Sequence, residues 1–292
     1  MKFPEVRRKI LCACDIPNLF AFYHDKMWQE QAAEELSDRY AELLALFIND
    51  VDGFRQMMRK RDCIISGSGA LWVLLGNPGD WKPLELDVMT REDNFFQVVD
   101  EIRRMVDATS LSLDRVASPL QAFKSRAEIG TANGTVHVLR SRYDCALSPI
   151  PFYSSTHLMN ALTGDALYCA YPSLTLSGRG VRPVHWDGSR EGSASKALGF
   201  NVHQYGRDLR DGSRGCTGFV ACSKRQRFFG DRGTWIVPMG KGTVEDMVAP
   251  LRIMGTGAWR LGGPGCGNRQ WTAFAAGMLD FEGEELSTDE DI

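Results

Sequence analysis

The sequence predicts an α+β fold: a small mixed β-sheet with flanking helices, followed by a Gly-rich C-terminal extension. Three observations carry this. Apolar residues recur at helical spacing between Asp25 and Lys60 and again from Phe95 to Val106. Short apolar or alternating runs bounded by Gly, Pro and Asn sit between and after these helices. Beyond Trp186 periodicity is lost and most of the 29 glycines are found.

Composition sets the outer bounds. With 292 residues, 43% hydrophobic and 24% charged, the chain has enough apolar material for one large or two small cores. A net charge of -3 argues against a protein that coats nucleic acid, which needs a basic surface, and there is no strong nucleic-acid signal. No apolar run reaches the length of a membrane span, and the N-terminus lacks the apolar core of a signal peptide. The expectation is an intracellular protein, in the cytoplasm or nucleus, without membrane partners. Eight scattered cysteines, several inside apolar runs, read as small hydrophobes. Cys216, Cys222 and Cys266 form the minority reading of a zinc site, and Cys12-x-Cys14 is read as a pair of buried thiols.

The first helical pattern uses Trp28, Ala32, Leu36, Tyr40, Leu43, Leu44 and Phe47, with a break near Asn49-Asp50. It ends in Arg55, Arg59, Lys60 and Arg61, either a solvated face or an edge turned toward phosphate. Cys63 to Ile65 reads as a short buried strand. Ser66-Gly67-Ser68-Gly69 follows as a turn in which Gly accepts positive φ and close ligand approach. An apolar helix from Ala70 to Leu75 points its free N–H groups at that turn.

The next strand, Leu84 to Met89, carries Glu85 and Asp87 on one face because strand side chains alternate. Side-by-side carboxylates repel, and a cation relieves that repulsion. Thr90 is expected to open the next helix, with Asp93 completing a weak capping box. Residues 107–120 read as a loop. Phe123 to Gly130 and Thr135 to Leu139 read as a hairpin closed by an Asn133-Gly134 type I′ turn, with His137 opposite Val136 and Val138. Ser155 or Thr156 is expected to cap a helix from His157 to Leu162. Gly164 to Leu176 is apolar and packs under the sheet, and Gly178 to Val181 turns. In the extension, Cys216 to Cys222 and Thr234 to Met239 are candidate added strands. Lys224, Arg225, Arg227 and Arg232 read as a solvated basic loop, and the acidic tail reads as disordered.

The order strand, Gly-Ser turn, helix, acid-x-acid strand, helix, hairpin resembles the nucleotidyltransferase superfamily typified by DNA polymerase beta, and its divergent fungal-type members in particular. The residues that carry the resemblance are Ile65-Ser66-Gly67-Ser68 and Glu85-Leu86-Asp87-Val88, and it extends over roughly Asp62 to Arg182. On this basis the chain divides into a helical segment (1–61), a nucleotidyltransferase-like core (62–185) and the Gly-rich extension (186–292). The resemblance implies metal-dependent transfer of a nucleotidyl group from a nucleoside triphosphate to an acceptor hydroxyl that the sequence does not identify. Glu85 and Asp87 would hold Mg²⁺ or Mn²⁺, Gly67 and Ser68 would hold the phosphates, and a third acid would complete the catalytic set. At that third position this chain has His137, which carries no negative charge to offer a metal. Glu128 on the preceding strand is the nearby substitute, if the hairpin register turns it toward the site. The alternative is a catalytically inactive relative that binds nucleotide or a protein partner.

Overall fold

The computed structural model describes residues 9–11, 14, 16–76, 81–115, 122–184, 198–205, 221–222, 225–240, 242–253, 258–261 and 272–274. Helices α1 (Ile16–His24), α2 (Gln29–Ala45) and α3 (Val51–Arg61) precede strand β1 (Ile64–Ser66) and helix α4 (Gly67–Leu74). Then follow β2 (Glu85–Thr90), α5 (Phe95–Met105), β3 (Ser110–Arg115), β4 (Phe123–Gly130) and β5 (Thr135–Ser141). Strands β6 (Asn160–Leu162) and β7 (Ala166–Cys169), a short helix α6 (Pro172–Thr175), and strands β8 (Arg179–Val181) and β9 (Asn201–His203) come next. Strand β10 (Trp235–Pro238), helix α7 (Val244–Ile253) and strands β11 (Ala258–Arg260) and β12 (Thr272–Phe274) complete the order.

Eight strands form one mixed sheet in the order β10-β7-β6-β1-β2-β5-β4-β3. Every neighbouring pair is antiparallel except β2 and β5, which run parallel. This is the α+β architecture that the sequence predicts. Alternation in the central strands divides two cores. Leu86, Val88, Val136 and Val138 face the N-terminal helices, joined by Leu36, Tyr40, Leu43, Phe54, Val98 and Ile102. Ile64, Met89, Ala161, Tyr168 and Ile236 face the other side, packed on Tyr171, Phe229 and Trp259.

The break near Asn49-Asp50 is observed, because the Asp50 carboxylate caps α3 by accepting from the Gly53 N–H at 2.9 Å. Asp62 ends the same helix in the left-handed conformation, φ 48°.

Several expectations are corrected. Thr90 is the last residue of β2; the helix starts at Phe95, and Asn94 there makes no side-chain cap but donates to the Arg61 carbonyl at 2.9 Å. Residues 110–115 are not loop but the sheet's edge strand, every residue of it exposed. The hairpin closes without a type I′ turn, since Asp62 is the only non-Gly residue with positive φ among the described residues and Asn133 is therefore not one. Gly134 serves a different need: a Cβ there would lie 2.3 Å from the Leu84 carbonyl oxygen. The segment expected as a helix from His157 is one 3₁₀ turn (Thr156–Leu158) followed by β6, and Ala166–Cys169 lies within the sheet. Residues 179–181 pair with Asn201–His203 as a strand.

The candidate strand at 234–239 is realised as β10, paired with β7. Most of the candidate at 216–222, Cys12, Cys216 and Cys266 of the thiol readings, and the acidic tail lie outside the described residues. No helix among the described residues is long and apolar enough to cross a membrane.

Candidate metal and phosphate site

Register builds the site. Ser66 pairs with Asp87, Asp87 with His137, and His137 with Glu128, so one lateral row crosses β1, β2, β5 and β4. The parallel pairing of β2 with β5 places Asp87 and His137 side by side on the same face. Glu85 lies two residues along β2, on that face again. The hairpin register that the sequence leaves open therefore turns Glu128 toward the site.

Glu85, Asp87 and His137 each offer one ligand atom, all within 4.8 Å of one another, and they form the only such group among the described residues. His137 Nδ1 lies 3.1 Å from Asp87 Oδ1 and 3.9 Å from Glu85 Oε2. The other ring nitrogen, Nε2, lies 3.7 Å from Glu128 Oε1, and Glu128 is itself ion-paired with Arg126. The side chains grade from open to enclosed: Glu85 is 61% exposed, Asp87 22% and His137 10%. His137 has its pKa raised, first by the hydrogen bond to Asp87, while burial opposes the shift and the charges of Asp87 and Glu85 support it.

The Gly-Ser turn meets this row. Ser66 is fully buried and its hydroxyl donates to the Asn160 carbonyl, so it is occupied in joining β1 to β6. Gly67 begins α4 at φ +68°. A Cβ on it would lie 2.9 Å from Asp87 Oδ2 and 3.0 Å from the Tyr153 hydroxyl. The glycine thus keeps open the space between the carboxylate and the first N–H groups of the helix. Gly67 and Ser68 are the first two residues of α4, and Gly67 lies against Asp87.

Tyr153 was not among the sequence candidates. It follows a 3₁₀ turn (Ile150–Phe152) far along the chain, and no local pattern connects it to Gly67. The basic end of α3 is not part of this place. Arg59 pairs with Asp165, Arg55 donates to the carbonyls of Gly164 and Met239, and Arg61 pairs with Glu101. These contacts gather before the start of β1, whereas Gly67 follows its end. Arg227 is likewise no solvated loop residue: it is 1% exposed and ion-paired with Asp231.

The donor set decides what the site can hold. Two carboxylates suit a hard divalent cation. The third group is an imidazole, so the arrangement does not fit a pair of Mg²⁺ ions bridged by three carboxylates. It fits one cation, with Glu85 leaving part of the coordination shell open to solvent.

No protein-family model matches the sequence, and no curated protein matches it. Among solved structures the chain is similar to a CCA-adding enzyme in complex with CTP, at 15% identity and TM-score 0.29, covering 42% of this chain and 28% of that one. It is also similar to a tRNA-processing enzyme in an apo form, at 14% identity and TM-score 0.35, covering 53% of this chain and 43% of that one. The chain thus spans less than half the length of either structure.

Proposed function

We propose that this protein binds a nucleoside triphosphate together with one divalent cation and transfers the nucleotidyl group to an acceptor hydroxyl. The observation that supports the reading is the row Ser66–Asp87–His137–Glu128 meeting the N-terminus of α4 at Gly67. In this reading the carboxylate pair binds a cation, the helix end beside it binds phosphate, and the 62–185 segment is the catalytic core.

Glu85 and Asp87 hold the cation, which would neutralise charge on the triphosphate. The N–H groups at Gly67 and Ser68 receive phosphate oxygens, where the helix dipole favours negative charge. Tyr153, whose hydroxyl would lie 3.0 Å from a Cβ on Gly67, bounds the same space. His137, hydrogen-bonded to Asp87, stands beside the cation as the third member of the group.

A second reading is nucleotide binding without transfer, favoured by the imidazole where a third carboxylate would stand. Incubation with α-labelled nucleoside triphosphate, Mg²⁺ or Mn²⁺ and a mixed RNA acceptor separates the two. Label should enter the acceptor with the wild type and fall at least about 100-fold in Asp87→Asn. Equal labelling by both proteins would defeat the enzyme reading. Metal-dependent triphosphate binding by calorimetry without labelling would leave the second reading standing.

A further inference from the structure

We infer that Glu85, Asp87 and His137 form a single-ion site for a transition-metal dication such as Mn²⁺, with His137 Nδ1 as a ligand and Glu128 orienting the ring, and that this site discriminates against Mg²⁺. The inference rests on the cation of the proposed function but not on any nucleotide chemistry.

Three observations support it beyond the presence of the carboxylate pair. First, one and the same ring nitrogen faces both carboxylates, at 3.1 Å from Asp87 Oδ1 and 3.9 Å from Glu85 Oε2. An imidazole serving only to hydrogen-bond Asp87 has no need to sit between two acids.

Second, the opposite nitrogen faces a third carboxylate, Glu128, at 3.7 Å. A metal-bound histidine commonly has its remote N–H directed at a carboxylate, which fixes the tautomer and makes the ligating nitrogen more basic. Arg126 holds Glu128 in turn.

Third, all of these groups stand on adjacent strands in fixed register, and the imidazole is 90% enclosed while Glu85 is mostly exposed. The ring is held in place on the enclosed side, and the open side leaves room for water or a phosphate oxygen to complete the shell.

The chemistry of the donors then selects the ion. Mg²⁺ takes oxygen ligands in near-ideal octahedral geometry and does not favour imidazole. Manganese and the later first-row dications accept mixed nitrogen and oxygen sets more readily, with affinity rising along the series to copper. Replacing one acid by His137 therefore weakens Mg²⁺ more than it weakens Mn²⁺.

The test uses full-length, chelator-treated protein and no nucleotide. Mn²⁺ binding is followed by electron paramagnetic resonance, with Mg²⁺ as competitor. The wild type should bind one Mn²⁺ per chain and show nitrogen coupling from one imidazole in the pulsed spectrum. His137→Asp should lose that coupling and let Mg²⁺ compete at least about tenfold better. Glu128→Gln, at a part-exposed position, should keep the coupling but bind Mn²⁺ about 10- to 100-fold more weakly.

Absence of Mn²⁺ binding by the folded wild type, bound Mn²⁺ without nitrogen coupling, or unchanged affinity in Glu128→Gln would each overturn the inference. Should His137→Asp fail to fold, the wild-type spectrum and Glu128→Gln still decide it. Because no nucleotide is present, a failure of labelling in the transferase assay leaves this result untouched, and a failure here leaves labelling to be judged separately.

Discussion

Replacing Gly67 by alanine tests the geometry of the turn, with Gly69 in the same helix as the matched control. Gly67 has φ +68°, where a residue with a Cβ is strained. The left-handed conformation alone costs about 1–2 kcal/mol. The new methyl would also lie 2.9 Å from Asp87 Oδ2 and 3.0 Å from the Tyr153 hydroxyl, so the carboxylate or the ring must shift. The sum is a loss of about 2–3 kcal/mol. Gly69 differs in both respects. Its Cβ would meet Leu86, Ile65 and Leu43 at 3.4, 3.5 and 3.6 Å, ordinary contact distances. A glycine-to-alanine change inside a helix stabilises by about 0.5–1 kcal/mol. Urea denaturation followed by circular dichroism should therefore shift the midpoint down for Gly67→Ala and leave it unchanged or raised for Gly69→Ala. The displaced Asp87 carboxylate should weaken Mn²⁺ binding in the first variant alone. If the two variants denature at the same urea concentration, the positive φ and the close approach at Gly67 have been misread.

Other expectations follow from single contacts. Arg227→Ala should destabilise by about 3–5 kcal/mol in thermal or urea unfolding, because it leaves Asp231, 11% exposed, without its guanidinium and removes the donor to the Ala170 carbonyl. The stacking of Arg227 over Tyr171, 4.5 Å from the ring centre, is lost with it. His157 is fully buried, and burial pushes its pKa down from 6.5 to about 4. The unfolded chain binds a proton near pH 6.5 that the folded chain refuses until about pH 4. Stability should thus be fully present above pH 6.5 and fall by about 3 kcal/mol as pH drops to 4. A chevron series across that range should show the slope, and His157→Gln should remove it.

The parts of the fold that were legible in the sequence are those whose burial is periodic. The alternation in Glu85-Leu86-Asp87-Val88 gave the two faces of β2 correctly, because Leu86 and Val88 are fully buried while the acids lie on the opposite, less enclosed face. The stripe Phe95, Val98, Val99, Ile102 gave α5 for the same reason. Illegible were elements whose burial has no period. All of β6 and β7 is buried on both sides, so Asn160–Leu162 has no polar face to distinguish strand from helix. All of β3 is exposed, so its Leu111 and Leu113 carry no core signal. In the candidate site, Glu85, Asp87 and Gly67 could be named from local spacing, and His137 from the place of the third acid that the resemblance implies. Glu128 needed the hairpin register, and Tyr153 needed tertiary structure, since it reaches Gly67 from across many residues of chain with no motif of its own.

Strand β10 has a practical bearing on how the chain can be divided. It comes from the Gly-rich portion, yet it is hydrogen-bonded to β7 and clasped from outside by α1, with Phe20 stacked edge-on against Trp235 at 4.7 Å and the Tyr23 hydroxyl donating to the Ile236 carbonyl. Helix α1 and a strand of the Gly-rich portion therefore meet over one margin of the sheet. A fragment cut to 62–185 would lose both at once and lay bare β7, four buried residues without a charge among them (Ala166–Cys169). Such a margin is an invitation to a foreign strand, so the fragment should self-associate through β7 even where its carboxylates and imidazole are correctly formed.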